Sequence, residues 1–213
     1  MAQGIVKAGD LPQVIPVFPL NGAVLLARGQ LPLNIFEPRY LQMMEDVLKT
    51  DHRLIGMVQP EGDGLATIGC AGRVIAFSES DDGRLMISLK AVSRFRLADI
   101  EEGFAPYLQA HIDWTGFDRD LKGPERDPGL DRERLFPLLQ RFLSQHELST
   151  DWGAAQEAED EMLVNSLSMM LPFSNSDKQA LLESPTLADR RELLQGLIEF
   201  ALHGGGDTEE RLQ

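Results

Sequence analysis

A chain of 213 residues and 23.7 kDa has room for one large domain or two small ones, and for a sizeable core. Its 43% hydrophobic and 25% charged content, with a mean hydropathy of -0.18, is that of a globule and excludes a disordered or fibrous chain. A net charge of -14 without a basic stripe argues against nucleic acid and anionic membrane surfaces as partners.

The acidity is uneven: residues 1–113 carry a net -4 and residues 114–213 a net -10. No apolar run approaches the ~18 residues of a bilayer span. The first fifteen residues lack a basic segment followed by an apolar one, so no export signal is expected. Cys70 alone can build neither a disulfide within the chain nor a paired-cysteine metal site. The expected compartment is the cytoplasm.

The first half reads as strands. Val14 to Phe18, Leu31 to Phe36, Leu54 to Val58, Thr67 to Phe77, Leu85 to Ala91, Phe95 to Asp99 and Tyr107 to Ile112 are short apolar and β-branched runs separated by turn residues, as in a small barrel or sandwich. Asp81-Asp82-Gly83 predicts a hairpin turn that pairs Val74–Phe77 with Leu85–Leu89. One helix interrupts this region: Pro38 suits its first turn, and Tyr40, Met43, Met44, Val47 and Leu48 recur as one apolar stripe.

Residues 116–130 hold three Gly, two Pro and seven charges without a period, and read as a linker or long loop between two parts that touch yet are separable. From Asp131 the period is helical. Leu135, Leu138, Leu139, Phe142 and Leu143 mark one helix, in which Pro137 implies a late start or a kink. Met162, Leu163, Leu167 and Met170 mark a second, stopped by Pro172. Ser176 and Gln179 have capping-box spacing for a third over Asp177 to Glu183. Thr186 caps a fourth, ended by Gly204-Gly205-Gly206, with Asp207 to Gln213 as a polar tail. The division is thus residues 1–115, 116–130, 131–203 and 204–213.

No phosphate-binding loop, no G-x-S-x-G elbow and no Ser three residues before a Lys occurs. His52, His111, His146 and His203 each lack a second His or a Cys within four residues, so no zinc site follows from local spacing. His146-Glu147 reads as a helix end, Cys70 as a buried inert thiol, and Glu157, Glu159, Asp160 and Glu161 as the solvated first turn of a helix. No catalytic residue, metal or cofactor is expected.

Ile15-Pro16-Val17-Phe18-Pro19-Leu20 opens a wider likeness. With the segments at 17–46, 54–60, 68–77 and 82–97 and the helices from Lys178, the chain resembles the N-terminal LON substrate-binding domain of ATP-dependent Lon proteases, in a short bacterial form. Ala91-Val92-Ser93 stands where a Gly often precedes Arg-Phe in that family. The resemblance implies an α+β fold, a PUA-like β pseudo-barrel with one inserted helix followed by a helical bundle. It also implies a non-catalytic module that recruits or holds unfolded or partner polypeptides, in company with a protease or chaperone. The ATPase and protease segments of those enzymes have no counterpart here.

Holding an unfolded segment needs exposed apolar surface, a groove or a sheet edge. Leu25 and Leu26, with Tyr40, Met43 and Met44 on the helix, are the candidate contact residues, each weighed against a place in the core. Phe36 and Phe95 are expected in the core, and Glu37 with Arg39 as a structural pair. Two alternatives stay open: an RNA-binding PUA-like protein, and a hydrolase whose site is assembled from distant residues.

Overall fold

The computed structural model describes residues 7–101 and 103–204, and the expected polar tail lies outside them. The described residues form a mixed α+β fold with a six-stranded sheet and six α-helices. The sheet strands of the first half are β1 (Val14–Pro19), β2 (Gln30–Ile35), β3 (Leu54–Val58), β6 (Ile68–Glu79), β7 (Leu85–Glu101) and β8 (Gln109–Asp113). Between β3 and β6, β4 (Pro60–Glu61) and β5 (Gly64–Leu65) form a small separate ladder.

The two runs expected at 85–91 and 95–99 are one strand. β7 stays continuous across the interruption because its register against β6 slips at Ala71/Gly72, leaving Val92 as the extra residue of a bulge. Its length lets it pair with β6 through Leu85–Arg96, with β2 through Leu85–Lys90 and with β8 through Arg96–Glu101. The ladder β7-β6-β3-β1-β8 therefore returns to β7, while β2 hangs from the ring's side. Inside, Phe95 fills the space over Gly56 and Gly69: a Cβ on either would stand under 3 Å from the Phe95 ring.

Helix α1 (Pro38–Lys49) starts on Pro38 and lays its apolar stripe on the sheet. Tyr40 stacks obliquely on Phe18 with ring centroids 4.2 Å apart. The remaining helices are α2 (Arg132–Gln145), α3 (Trp152–Glu157), α4 (Asp160–Met170), α5 (Asn175–Glu183) and α6 (Leu187–Gly204). Helices α2, α4 and α5 pack on α6 around a second core that includes Leu135, Leu139, Phe142, Leu163, Leu194 and Ile198. Pro137 sits inside α2, whose start at Arg132 is capped by the Asp131 carboxylate.

Three local expectations are corrected. The cap of α5 is Ser174, not Ser176: its Oγ accepts from the Asp177 N–H at 3.2 Å and donates to the Asp177 carboxylate at 2.6 Å. Phe36 is 62% exposed, because β2 ends at Ile35 and the next side chain turns outward under the Arg84 guanidinium. Glu161 is buried rather than solvated, accepting from the Glu125 N–H at 2.8 Å and pairing with Arg28 at 3.1 Å. Thr186 and Asp189 do cap α6 reciprocally.

Residues 114–131 form neither helix nor strand, yet they are strapped down. Arg94, on β7, holds Asp120 through two guanidinium contacts of 2.9 and 3.0 Å and donates to the carbonyls of Leu182 and Ser184. Arg191, on α6, binds the buried Asp127.

Candidate functional site

Leu25, Leu26, Met43 and Met44 are fully buried and Tyr40 nearly so, all in the core between α1 and the sheet. For Tyr40, Met43 and Met44 the apolar spacing is that of a helix seated on a sheet, and Leu25 and Leu26 sit in the same core, so none offers an exposed apolar side chain. Phe95 is in the core as expected, and Glu37 pairs with Arg39 at 2.8 Å on the surface.

Four of the large apolar side chains left in solvent, Phe36, Ile75, Phe77 and Met86, lie on a wing made of the outer halves of β6 and β7 with β2 alongside. Its tip is the expected hairpin: Val74 faces Leu89 and Phe77 faces Ile87. Gly83 takes φ +78° and its N–H donates to the Ser80 carbonyl at 2.9 Å. Asp82 accepts from the Ser80 hydroxyl at 2.7 Å and from the Arg84 N–H, which holds its carboxyl below the usual range. This turn is fixed before anything binds.

Beyond the turn, register decides which side chains share a face. Phe77 lies across from Ile87 and, beyond it, Leu33, whereas Met86 lies across from Ser78 and Asn34 on the opposite face. Phe77 is 55% and Met86 57% exposed, and Ile75, at a second register slip, is also exposed. The wing has outgrown the core beneath it.

The wing also has open edges. β3 pairs with β6 only as far as Arg73, and the Val74 N–H still donates to Arg53, so from Ile75 to Glu79 the far side of β6 faces no strand among the described residues. β2 is the other terminal strand, but Pro32 removes one donor from it. An unpaired edge offers N–H and C=O groups to any extended chain, whatever its sequence, and flanking apolar side chains add grip. The sequence carried a trace of this: Val74-Ile75-Ala76-Phe77 runs apolar almost to a turn, further than a core can follow.

Burial pushes the Cys70 thiol well above its ordinary value, away from the reactive thiolate. Among the described residues no three His, Cys, Asp or Glu side chains are grouped to hold a metal ion, and no helix is long and apolar enough to cross a membrane.

Lon protease 2 of Myxococcus xanthus is 27% identical over 204 residues, which cover 92% of this chain but 24% of that protein. Lon protease 1 of Bdellovibrio bacteriovorus is 28% identical over 87% of this chain and 24% of its own length. The chain thus spans about a quarter of the curated relatives it matches. Among solved structures, a Lon N-terminal domain protein from Xanthomonas campestris superposes with a TM-score of 0.61 at 23% identity, over 86% of this chain and 97% of that one. The N-terminal domain of a Mycobacterium avium complex Lon protease gives 0.60 at 12%, over 87% and 98%. The family model described as the ATP-dependent protease La (LON) substrate-binding domain matches residues 14–199, and the chain belongs to that family.

Proposed function

We propose that this protein is a non-catalytic polypeptide-binding module that takes extended segments of unfolded or partner proteins along the open edge of β6. The family supports a substrate-recognition role. The observation that carries the finer reading is the free edge from Ile75 to Glu79, flanked by the exposed Phe77 and Met86. Backbone pairing tolerates sequence variety, which a binder of many chains requires. On the same reading the closed ladder is a PUA-like pseudo-barrel, the C-terminal helices form a bundle, and the module works in the cytoplasm as adaptor or regulator for a protease or chaperone. The RNA-binding alternative is disfavoured by the -14 charge.

Binding that must release many chains has a Kd of micromolar order, about -8 kcal/mol. The test is titration of a fluorescent, permanently unfolded polypeptide against the full chain, with Phe77→Asp and Met86→Asp as variants. Both side chains are more than half exposed, so melting temperatures should stay near the parent's while affinity falls about ten-fold or more. Unchanged affinity in both would overturn the edge as the site. Saturable binding of transfer RNA, but not of the polypeptide, would overturn the function.

A further inference from the structure

The helical half carries a second apolar surface, away from the wing. A groove of about 510 Å³ opens between the end of α2, α3 and α4. Leu143, Leu163, Leu167 and Leu171 make its floor, and Leu148, Met162 and Met170 stand exposed at its sides, Met170 at 75%. Apart from the loop at 148–151 its walls are helices, whose backbone groups are spent on their own turns, so it offers no strand edge of the kind β6 has. What fits between helices is another helix, laying an apolar stripe into the groove. The exposed methionines suit such a contact, because their unbranched side chains adapt to varied partners.

The charge around the groove narrows the partner. From Phe142 to Asp177 the chain contains no Lys or Arg, while it contains Glu147, Asp151, Glu157, Glu159, Asp160, Glu161 and Asp177. Glu161 and Asp160 are neutralised from outside this stretch by Arg28 and Arg132. Glu147, Asp151, Glu157 and Glu159 are exposed and pair with no Lys, Arg or His among the described residues. The groove is thus apolar at its centre, with Asp151 in its lining and Glu147, Glu157 and Glu159 next to lining residues in the chain.

We propose that this groove binds an amphipathic helix of a partner protein, with an apolar stripe at i, i+3, i+4 and i+7 and Lys or Arg on its flanks. Helix α4 has 11 residues and so runs for about 16 Å, which sets a matching partner of roughly three turns. This site is separate from the edge of β6 and does not depend on the reading given to that edge. It gives the module two surfaces: one for extended chain, one for a folded helix.

The test uses the full chain and three synthetic peptides of about 12 residues. The first has a Leu stripe with Lys flanks, the second the same stripe with Glu flanks, and the third is a scrambled form of the first. Anisotropy titration should show the Lys-flanked peptide binding about ten-fold tighter than either other peptide, with the preference shrinking as salt rises. Met170→Asp and, independently, Leu148→Asp should abolish that binding at unchanged melting temperature. The double variant Glu147→Lys/Glu157→Lys should turn the preference toward the Glu-flanked peptide. Phe77→Asp should leave all of these titrations unchanged, so failure here and failure of the β6 edge are read separately. Equal binding of the Lys- and Glu-flanked peptides, absence of binding by both, or binding indifferent to both groove variants would overturn the proposal.

Discussion

Single side chains in this protein are decided by what lies behind them, and Met43 shows it. The helical stripe of Tyr40, Met43, Met44 and Val47 was legible from spacing alone, but spacing cannot say whether a sheet or solvent faces it. The sheet does: Met43 is fully buried, so Met43→Glu should place an uncompensated carboxylate in the core and cost about 4 kcal/mol or more. Chemical denaturation measures that loss, and a variant as stable as the parent would mean that the helix does not sit on the sheet as described. His52 is a gentler case. Its Nδ1 accepts the Leu54 N–H at 3.1 Å, and desolvation together with the nearby Arg73 charge lowers its pKa, against the opposing pull of Asp51. As pH falls, the unfolded chain therefore takes up this proton first, and stability is lost from about pH 6.5 downward toward the depressed folded value. Asn at this position can still accept from the N–H two residues on, through an Asx turn, but does not titrate. His52→Asn should flatten the fall in melting temperature below about pH 6.5, and an identical slope in both proteins would contradict it.

At the scale of elements, the strands and long helices were readable because their periods are strong, whereas α3 was not. Trp152–Glu157 is six residues of small and polar character with no apolar repeat, and its only local signal was Asp151, whose carboxylate accepts from the Ala154 N–H at 3.0 Å. Phe36 failed for the converse reason: an apolar residue directly after a strand looks like more strand, while the alternation that buries Ile35 turns its neighbour outward. The sheet's interior depends on a fit that composition does not show. Gly69 faces the Met57 carbonyl and the Phe95 ring, each 2.6 Å from where a Cβ would stand. The carbonyl belongs to the β3 ladder and cannot step aside, so Gly69→Ala should cost about 3 kcal/mol, the upper range for overpacking. A parallel Phe95→Leu background, which vacates ring volume, should recover part of that loss in a double-mutant cycle. Purely additive losses would show that the ring is not what the new methyl meets.

Across the whole molecule, the question is whether the β part and the helical part are one cooperative unit. The Pro/Gly-rich stretch at 116–130 reads as a linker, but single-sequence reasoning has no access to the partners its charges find at a distance. Asp120 meets Arg94 from β7, Asp127 meets Arg191 from α6, and the Glu125 N–H meets Glu161 from α4. Arg94 then continues to the carbonyls of Leu182 and Ser184, while Asn165 donates to the Ala27 carbonyl and Lys178 to that of Gly22. Most of these groups are buried, so separating the two parts would strand polar atoms on both sides, at about 1–3 kcal/mol each and more where charged. The seam should therefore hold until either part unfolds. The chain supplies its own reporters, since its two tryptophans fall one on each side: Trp114 in the sheet core, donating to the Pro12 carbonyl at 2.9 Å, and Trp152 on α3. In urea, the single-tryptophan variants Trp152→Phe and Trp114→Phe should each report one transition, with midpoints that agree once each variant's own stability is measured by circular dichroism. Adding Arg94→Ala leaves Asp120 as a buried carboxylate without its cation, and should lower both transitions together by about 3–5 kcal/mol. Two separated transitions in the parent, or an Arg94→Ala effect confined to Trp114, would show instead that the halves are independent domains joined by a true linker.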